Sequence, residues 1–142
     1  VEPLNPEYLT HTSDVVIRLT APYTAVLITE QLEGYVIPSS FVVVRTNKSL
    51  LLPEYLVWLI NSQSVKRQIS ESAVSIMLGA VKPRYFADYE VDQLPLSHQR
   101  VLAELNGLAH RETLLLTELA AEKEKYYDLL INQVFTDMKR GN

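Results

Sequence analysis

The stretch VDQLPLSHQRVLAEL, residues 91–105, changes its period in the middle. Val91 to Leu94 alternate like a short strand, Val91 and Gln93 on one side, Asp92 and Leu94 on the other. From Val101 the apolar residues recur at helical spacing. Pro95 separates the two patterns, and Ser97 stands where its hydroxyl accepts the N–H of Gln99 or Arg100 as an N-cap. Arg100, rather than Glu or Gln, fills the third helical position, so the reciprocal capping box is not made. The reading is a strand that ends at Pro95 and a helix that begins directly after it.

That helix has little to stop it. Between Ser97 and about Met138 there is no proline and a single glycine, Gly107. Apolar positions recur at Val101/Leu102, Leu105, Leu108/Ala109, Leu115/Leu116, Leu119, Tyr126, Leu129/Leu130 and Val134. A helix of this span is ~60 Å long at ~1.5 Å per residue, against a mean of about 11–12 residues. A body built from the preceding residues is ~25 Å across, so the stripe reaches past it and demands a partner helix. The residues expected to pair are Leu102, Leu105, Ala109, Leu116, Leu119, Tyr126 and Leu130. Glu112 and Lys123 interrupt the stripe, which fixes register at a cost in stability. A fold-back at Gly107 onto the chain's own domain is the alternative. No turn signal breaks 108–139, so pairing between chains or in a long hairpin is the stronger reading.

Upstream lie shorter elements. Residues 1–12, with Pro3 and Pro6, read as an irregular lead-in. Val15 to Leu19 form a β-branched run stopped by Pro22, and AVLI (25–28) is a second strand. Gly34 marks a turn before Phe41 to Val44, a fully apolar run read as a central strand buried on both faces. Pro53 opens a helix to about residue 61, its missing N–H costing nothing there. A bend at NSQS precedes further helix over 64–71. The segment 70–81, broken at Gly79, reads as a loop with a short strand, and Pro83 opens a short helix.

Composition sets limits. The chain has 142 residues, 47% hydrophobic and 21% charged, which is a globular balance. No apolar run approaches the ~20 residues that span a bilayer. The N-terminal residues lack a basic region followed by an apolar one, so they are no signal peptide. The sequence does not open on methionine and reads as a fragment, or as a chain whose earlier residues are missing. Cysteine is absent, which excludes thiol catalysis and thiolate-bound zinc and fits a cytoplasmic setting.

Nothing in the pattern points to catalysis. His11, His98 and His110 have no metal-ligand spacing; His98 and His110 share a helix face but lie ~18 Å apart. Ser39 and Ser40 follow Pro38 and are turn residues rather than nucleophiles. Four glycines include no phosphate loop. Glu71, Asp88, Glu90 and Asp92 make no paired acid–base signature. No cofactor or metal is expected.

Charge is more informative. The net charge is −4, against the basic footprint of a nucleic-acid binder. Yet residues 66–85 hold Lys66, Arg67, Lys82 and Arg84 against Glu71 alone, a local net of +3. Lysines there suit phosphates and Arg84 suits a guanine edge, with Arg45 and Lys48 extending the footprint. On charge alone, a solvated mixed surface is the preferred reading. Of eight tyrosines, Tyr8, Tyr23 and Tyr35 fall in loops and suit bases or sugars. Tyr55, Tyr85, Tyr89 and Trp58 read as core anchors, and Tyr126 and Tyr127 as seam residues.

LPLSHQRVLAEL resembles the segment that, in specificity subunits of type I restriction–modification systems, joins a target-recognition domain to a long conserved helix. Pro95, Leu96 and Gln99 match its P-L-P-P-L-x-E-Q pattern; Asp92 and Leu94 replace two prolines, and His98 the glutamate. LLLPEYLVWLINSQSVKRQI (50–69) resembles the family helix through Pro53, Tyr55, Leu56, Leu59 or Ile60, and Ser62. SDVVIRLTAPYTAVLI (13–28) resembles the G-D-V-L-I strand and its successor, with Ser13 in place of glycine. AVKPRYFADYEVDQLPL (80–96) resembles the polar loop, short helix and last strand. The four segments occur in family order and cover nearly the whole chain.

The resemblance implies an α/β (α+β) target-recognition domain with a mixed sheet and short helices, followed by a long C-terminal coiled-coil helix. Residues 1–95 would be a partial recognition domain, because several family strands precede the G-D-V-L-I segment, and 96–142 the helix for dimerisation and spacing. The implied role is non-catalytic: reading double-stranded DNA and positioning modification and restriction subunits. The modification subunit holds S-adenosylmethionine and the restriction subunit hydrolyses ATP, so this chain binds neither. The segment around 75–85 corresponds to a DNA-facing region, which assigns Lys66, Arg67, Ser75, Lys82, Arg84, Tyr85 and Lys48 to DNA. A homodimer or intramolecular pairing through the helix is implied, with no membrane contact. The alternative is a degenerate or truncated relative that assembles through its helix without reading DNA.

Overall fold

Strand β1, Val15–Arg18, is the centre of a three-stranded sheet in the computed structural model, which describes residues 6–74 and 79–141. Strand β2, Ala25–Leu27, pairs on one side, with Val16 opposite Val26. Strand β3, Phe41–Val44, pairs on the other, with Val16 opposite Val43. Both pairings are antiparallel, so among the described strands the sheet is antiparallel, not the mixed one expected. The expected central strand, Phe41–Val44, is an edge. Val42 and Val44 pack against the core, and all four residues are only half-buried. An apolar run reports burial, not which backbone edges find partners.

Alternation along β1 builds the core. Val15, Ile17 and Leu19 join the core cluster, while among the intervening residues Val16 is also buried and Arg18 is exposed. Against that face lies α1, Pro53–Asn61, whose first position is the proline and whose buried residues include Leu56 and Ile60. Asn61 closes its last turn onto the sheet: its Oδ1 accepts the Ala25 N–H at 3.0 Å and its Nδ2 donates to the Ala25 carbonyl at 2.8 Å. A side chain thereby satisfies an unpaired strand edge. Ser62 breaks the helix, and α2, Gln63–Val74, follows. Val65, Ile69 and Ala73 recur at four-residue spacing and are buried. Burying a side chain such as Ile69 contributes roughly 1.5–3 kcal/mol. The helix extends past the expected end at residue 71; the rest of the segment read as a loop lies partly outside the described residues.

Gly79 to Val81 return to the sheet. Thr20 and Ala80 form an antiparallel bridge, and the Val81 N–H donates to the Leu19 carbonyl. A short helix, α3, Pro83–Ala87, opens on proline as expected. No strand follows it. Val91 and Leu94 are half-buried while Asp92 and Gln93 are exposed, so the alternation is not real. The Leu94 N–H bonds the Asp92 carbonyl in a turn, and the Leu94 carbonyl accepts from a side chain instead of a strand.

That side chain is Gln99 on α4, Leu96–Arg140. The helix starts one residue before Ser97, and the Pro95 carbonyl accepts both the His98 and Gln99 N–H groups. Ser97 is therefore inside the helix and not its cap. Gln99 is fully buried: Oε1 accepts the Leu52 N–H at 2.9 Å, and Nε2 donates to the Leu50 and Leu94 carbonyls at 2.9 and 2.8 Å. Three bonds nearly exhaust what an amide can make. Gly107 does not interrupt α4. The chain divides into two compact units, Val1–Ala103 and Glu104–Asn142, so the first turns of α4 belong to the first unit and the rest forms the second.

Candidate nucleic-acid interface and pairing helix

The cations expected at DNA fall on distinct elements. Arg67 on α2 is exposed and Lys66 half-buried; neither has an ion pair among the described residues. Lys82, exposed, immediately precedes α3. Arg84 is exposed, but its Nε pairs with Asp88 Oδ2 at 3.1 Å, one helical turn on. Such a surface pair is worth under about 1 kcal/mol, so it tempers the charge without removing it. Tyr85 is half-buried, edge-on to Phe86 at 5.3 Å and tilted against Tyr89 at 5.9 Å between centroids. Tyr89 in turn donates from its hydroxyl to Gln68 Oε1 at 3.3 Å. The aromatic group thus ties the segment carrying Lys82 and Arg84 to the helix carrying Lys66 and Arg67. Ser75 lies outside the described residues.

Lys48 stands apart. Its Nζ donates to Ser13 Oγ at 2.9 Å, just before β1, whereas Lys82 follows the residue paired with Leu19 beyond the end of β1. Six residues of extended chain separate those ends by about 20 Å. Ser13, at the position of the family glycine, takes a left-handed backbone with φ 75°. Arg45 is exposed, but its guanidinium is engaged within the fold. Its Nε reaches Asp14 Oδ1 at 3.0 Å, and its Nη2 donates to the Leu9 carbonyl at 3.0 Å and meets His11 Nδ1 at 2.9 Å. The Asp14 carboxylate is buried and also accepts the His11 N–H at 2.8 Å. This cluster clamps the lead-in and the end of β3 onto the start of β1.

The tyrosines divide differently from expectation. Tyr8 and Tyr35 are exposed, but Tyr23 is buried, with φ 53° and its hydroxyl donating to the Gly79 carbonyl at 2.9 Å. It holds backbone and is closed to a base. Tyr55 is buried and packs 5.6 Å from Trp58. Burial, and then the nearby Asp92 charge, pushes the Tyr55 phenol above its ordinary range. Tyr89 is raised as well, by burial and then by Tyr85, Asp92 and Tyr55.

On α4, Leu102 is half-buried in the first unit. In the second unit every described residue is exposed, Leu105, Ala109, Leu116, Leu119, Tyr126 and Leu130 included. The large apolar side chains there are 40% to 72% exposed. Tyr127, expected in the seam, is exposed, and so are Ile131, Phe135 and Met138, which lie outside the expected pairing residues. At about 100° per residue, Leu129 and Phe135 fall roughly 120° to either side of Leu130 and Val134. The apolar arc widens towards the C-terminus, beyond a single stripe.

Among the described residues, no group of three His, Cys, Asp or Glu side chains is placed to hold a metal ion. Nor, among those residues, is any helix long and apolar enough to cross a membrane.

No family model and no curated protein matches the sequence. Among solved structures, the chain is similar to one from a study described as the structural basis underlying complex assembly and conformational transition of the type I R-M system. There the TM-score is 0.69 at 24% identity, over 92% of this chain and 34% of that one. It is also similar to the HsdS subunit from Thermoanaerobacter tengcongensis, with a TM-score of 0.64 at 25% identity over 86% of this chain and 32% of that one. The chain thus spans about a third of the length of the solved chains it matches. Its three-stranded sheet, short helices and long C-terminal helix form an HsdS-like fold, the architecture that the sequence motifs resemble.

Proposed function

We propose that this chain is a DNA-recognition component of a type I restriction–modification system, a half-subunit or a portion of a specificity subunit. The observation that carries the reading is the HsdS-like fold over most of the chain, ending in a 45-residue helix. Residues 1–95 act as a partial target-recognition domain. Lys48, Lys66, Arg67, Ser75, Lys82, Arg84 and Tyr85 contribute to the DNA face. Residues 96–142 pair with a second helix, in a second copy or in the same polypeptide. A rigid helix fixes the separation of two reading heads, and the duplex then fixes which base pairs lie there. The assembly works in the cytoplasm and docks modification and restriction subunits, which carry the chemistry; this chain is non-catalytic and binds no cofactor.

The net charge of −4 favours a second reading, an HsdS-like module that assembles through α4 without reading DNA. Binding to duplex DNA across a salt series separates the two. DNA reading predicts affinity that falls steeply with salt, as each neutralised phosphate releases counterions. Negligible binding at low salt, together with a sedimenting dimer, selects the second reading.

A further inference from the structure

Arg18 belongs to none of the contacts assigned so far. It sits on the central strand, exposed between the buried Ile17 and Leu19. Its Nε donates to Thr20 Oγ1 at 3.0 Å, which ties the side chain along the strand through that nitrogen and leaves the terminal pair out of this bond. No carboxylate lies within ion-pair distance of it among the described residues. Arg45 and Arg84, by contrast, each face an aspartate. A guanidinium held by a hydroxyl keeps its whole charge.

The backbone around Arg18 is tied to the cationic segment. Thr20 bridges to Ala80, the Val81 N–H bonds the Leu19 carbonyl, and the buried Tyr23 hydroxyl bonds the Gly79 carbonyl. Tyr23 holds a left-handed backbone, φ 53°, that a bulky residue keeps only where its surroundings enforce it. These links fix residues 79–81 to the end of β1, and exposed Lys82, also without an ion pair, comes next. A charged fork on a strand, with a lysine on the adjoining segment, suits an anion better than an untethered surface charge does.

We infer that Arg18 contacts a backbone phosphate of duplex DNA, its two terminal nitrogens gripping the oxygens while Thr20 orients them and Lys82 takes a neighbouring phosphate. Paired N–H donors suit phosphate in a way a lysine cannot match, and such contacts set position on the duplex without reading sequence. This inference rests on the DNA-recognition reading and adds a residue to it.

The test titrates the full chain against a short mixed-sequence DNA duplex over a salt series, with melting curves as a check on folding. Arg18→Ala should lower affinity and reduce the salt slope by about 0.9, so that raising salt from about 50 to 200 mM costs about 3.5-fold less affinity than in the unmodified chain. Arg18→Lys should keep the slope. Thr20→Val should keep the slope and weaken binding, because charge is retained while its orientation is lost. If Arg18→Ala matches the unmodified chain in affinity and slope while Lys82→Ala does not, the Arg18 contact is overturned and DNA recognition stands. If the unmodified chain shows no salt-dependent binding, both fall.

Discussion

Replacing Gln99 with leucine is the sharpest probe of how the first turn of α4 is held within the first unit. The side chain is fully buried and makes three hydrogen bonds, to Leu52, Leu50 and Leu94. Leucine fills similar space but leaves one N–H and two carbonyls without partners. Each orphaned buried group costs about 1–3 kcal/mol. Leu50 is exposed and Leu52 and Leu94 are half-buried, so water can reach part of the site. The net loss should therefore be about 2–4 kcal/mol, at the low end of that range per group. At about 4–8 °C per kcal/mol for a domain of this size, the melting temperature falls by roughly 8–32 °C. Near-ultraviolet circular dichroism, which reports the packed Trp58 and Tyr55, follows the transition. Gln99→Glu adds a control with its own sign. The carboxylate can still accept from Leu52, but its second oxygen faces two carbonyls, and burial raises its pKa above the unfolded value of about 4.3. A raised carboxyl favours the protonated folded state, so the deficit of this variant should shrink as pH falls through the folded pKa, because the protonated group can donate one bond. Melting of Gln99→Leu within a degree or two of the unmodified chain would refute the clip, and so would a pH-independent deficit in Gln99→Glu.

Three other expectations concern stability and assembly. In urea unfolding, Arg45→Leu should cost about 3–5 kcal/mol, because it strands the buried Asp14 carboxylate, while Asp14→Leu should cost less, since water reaches the half-exposed Arg45 side chain; the reverse order would contradict the clamp. Above its ordinary pKa of 10.0 the Tyr55 phenol ionises more readily unfolded than folded, so stability is complete below pH 10.0 and drops as pH rises through the folded value. Tyr55→Phe should flatten that alkaline decline in a melting series, and an unchanged decline would assign it elsewhere. Introducing glutamate at both Leu116 and Leu119 should dissociate a sedimenting dimer while the near-ultraviolet melt of the first unit stays unchanged; equal sedimentation before and after would place the partner helix within the same polypeptide or remove it.

What the sequence revealed follows the range of the interactions concerned. Helix starts at Pro53 and Pro83 were legible because the proline acts through its own ring and the next turn. The unbroken α4 was legible because breakers are absent over its whole length. Sheet order was not, because a run such as Phe41–Val44 encodes burial but not whether one or both of its edges are paired. The alternation at 91–94 misled for a related reason: its backbone is satisfied by a turn and by Gln99, a partner that a local period cannot reveal. The same limit governs the charges. Arg84 and Asp88 stand four apart on a helix, a spacing that foretells their pairing, but Asp14 and Arg45 are 31 positions apart and meet only in the fold. Counting cations along the chain therefore overstates the free positive charge at β3 and understates it on β1, where Arg18 looked like one residue of an apolar strand. With ion-pair partners taken into account, Arg45 drops out of the free positive charge and Arg18 joins it, at the end of β1 near the segment that carries Lys82.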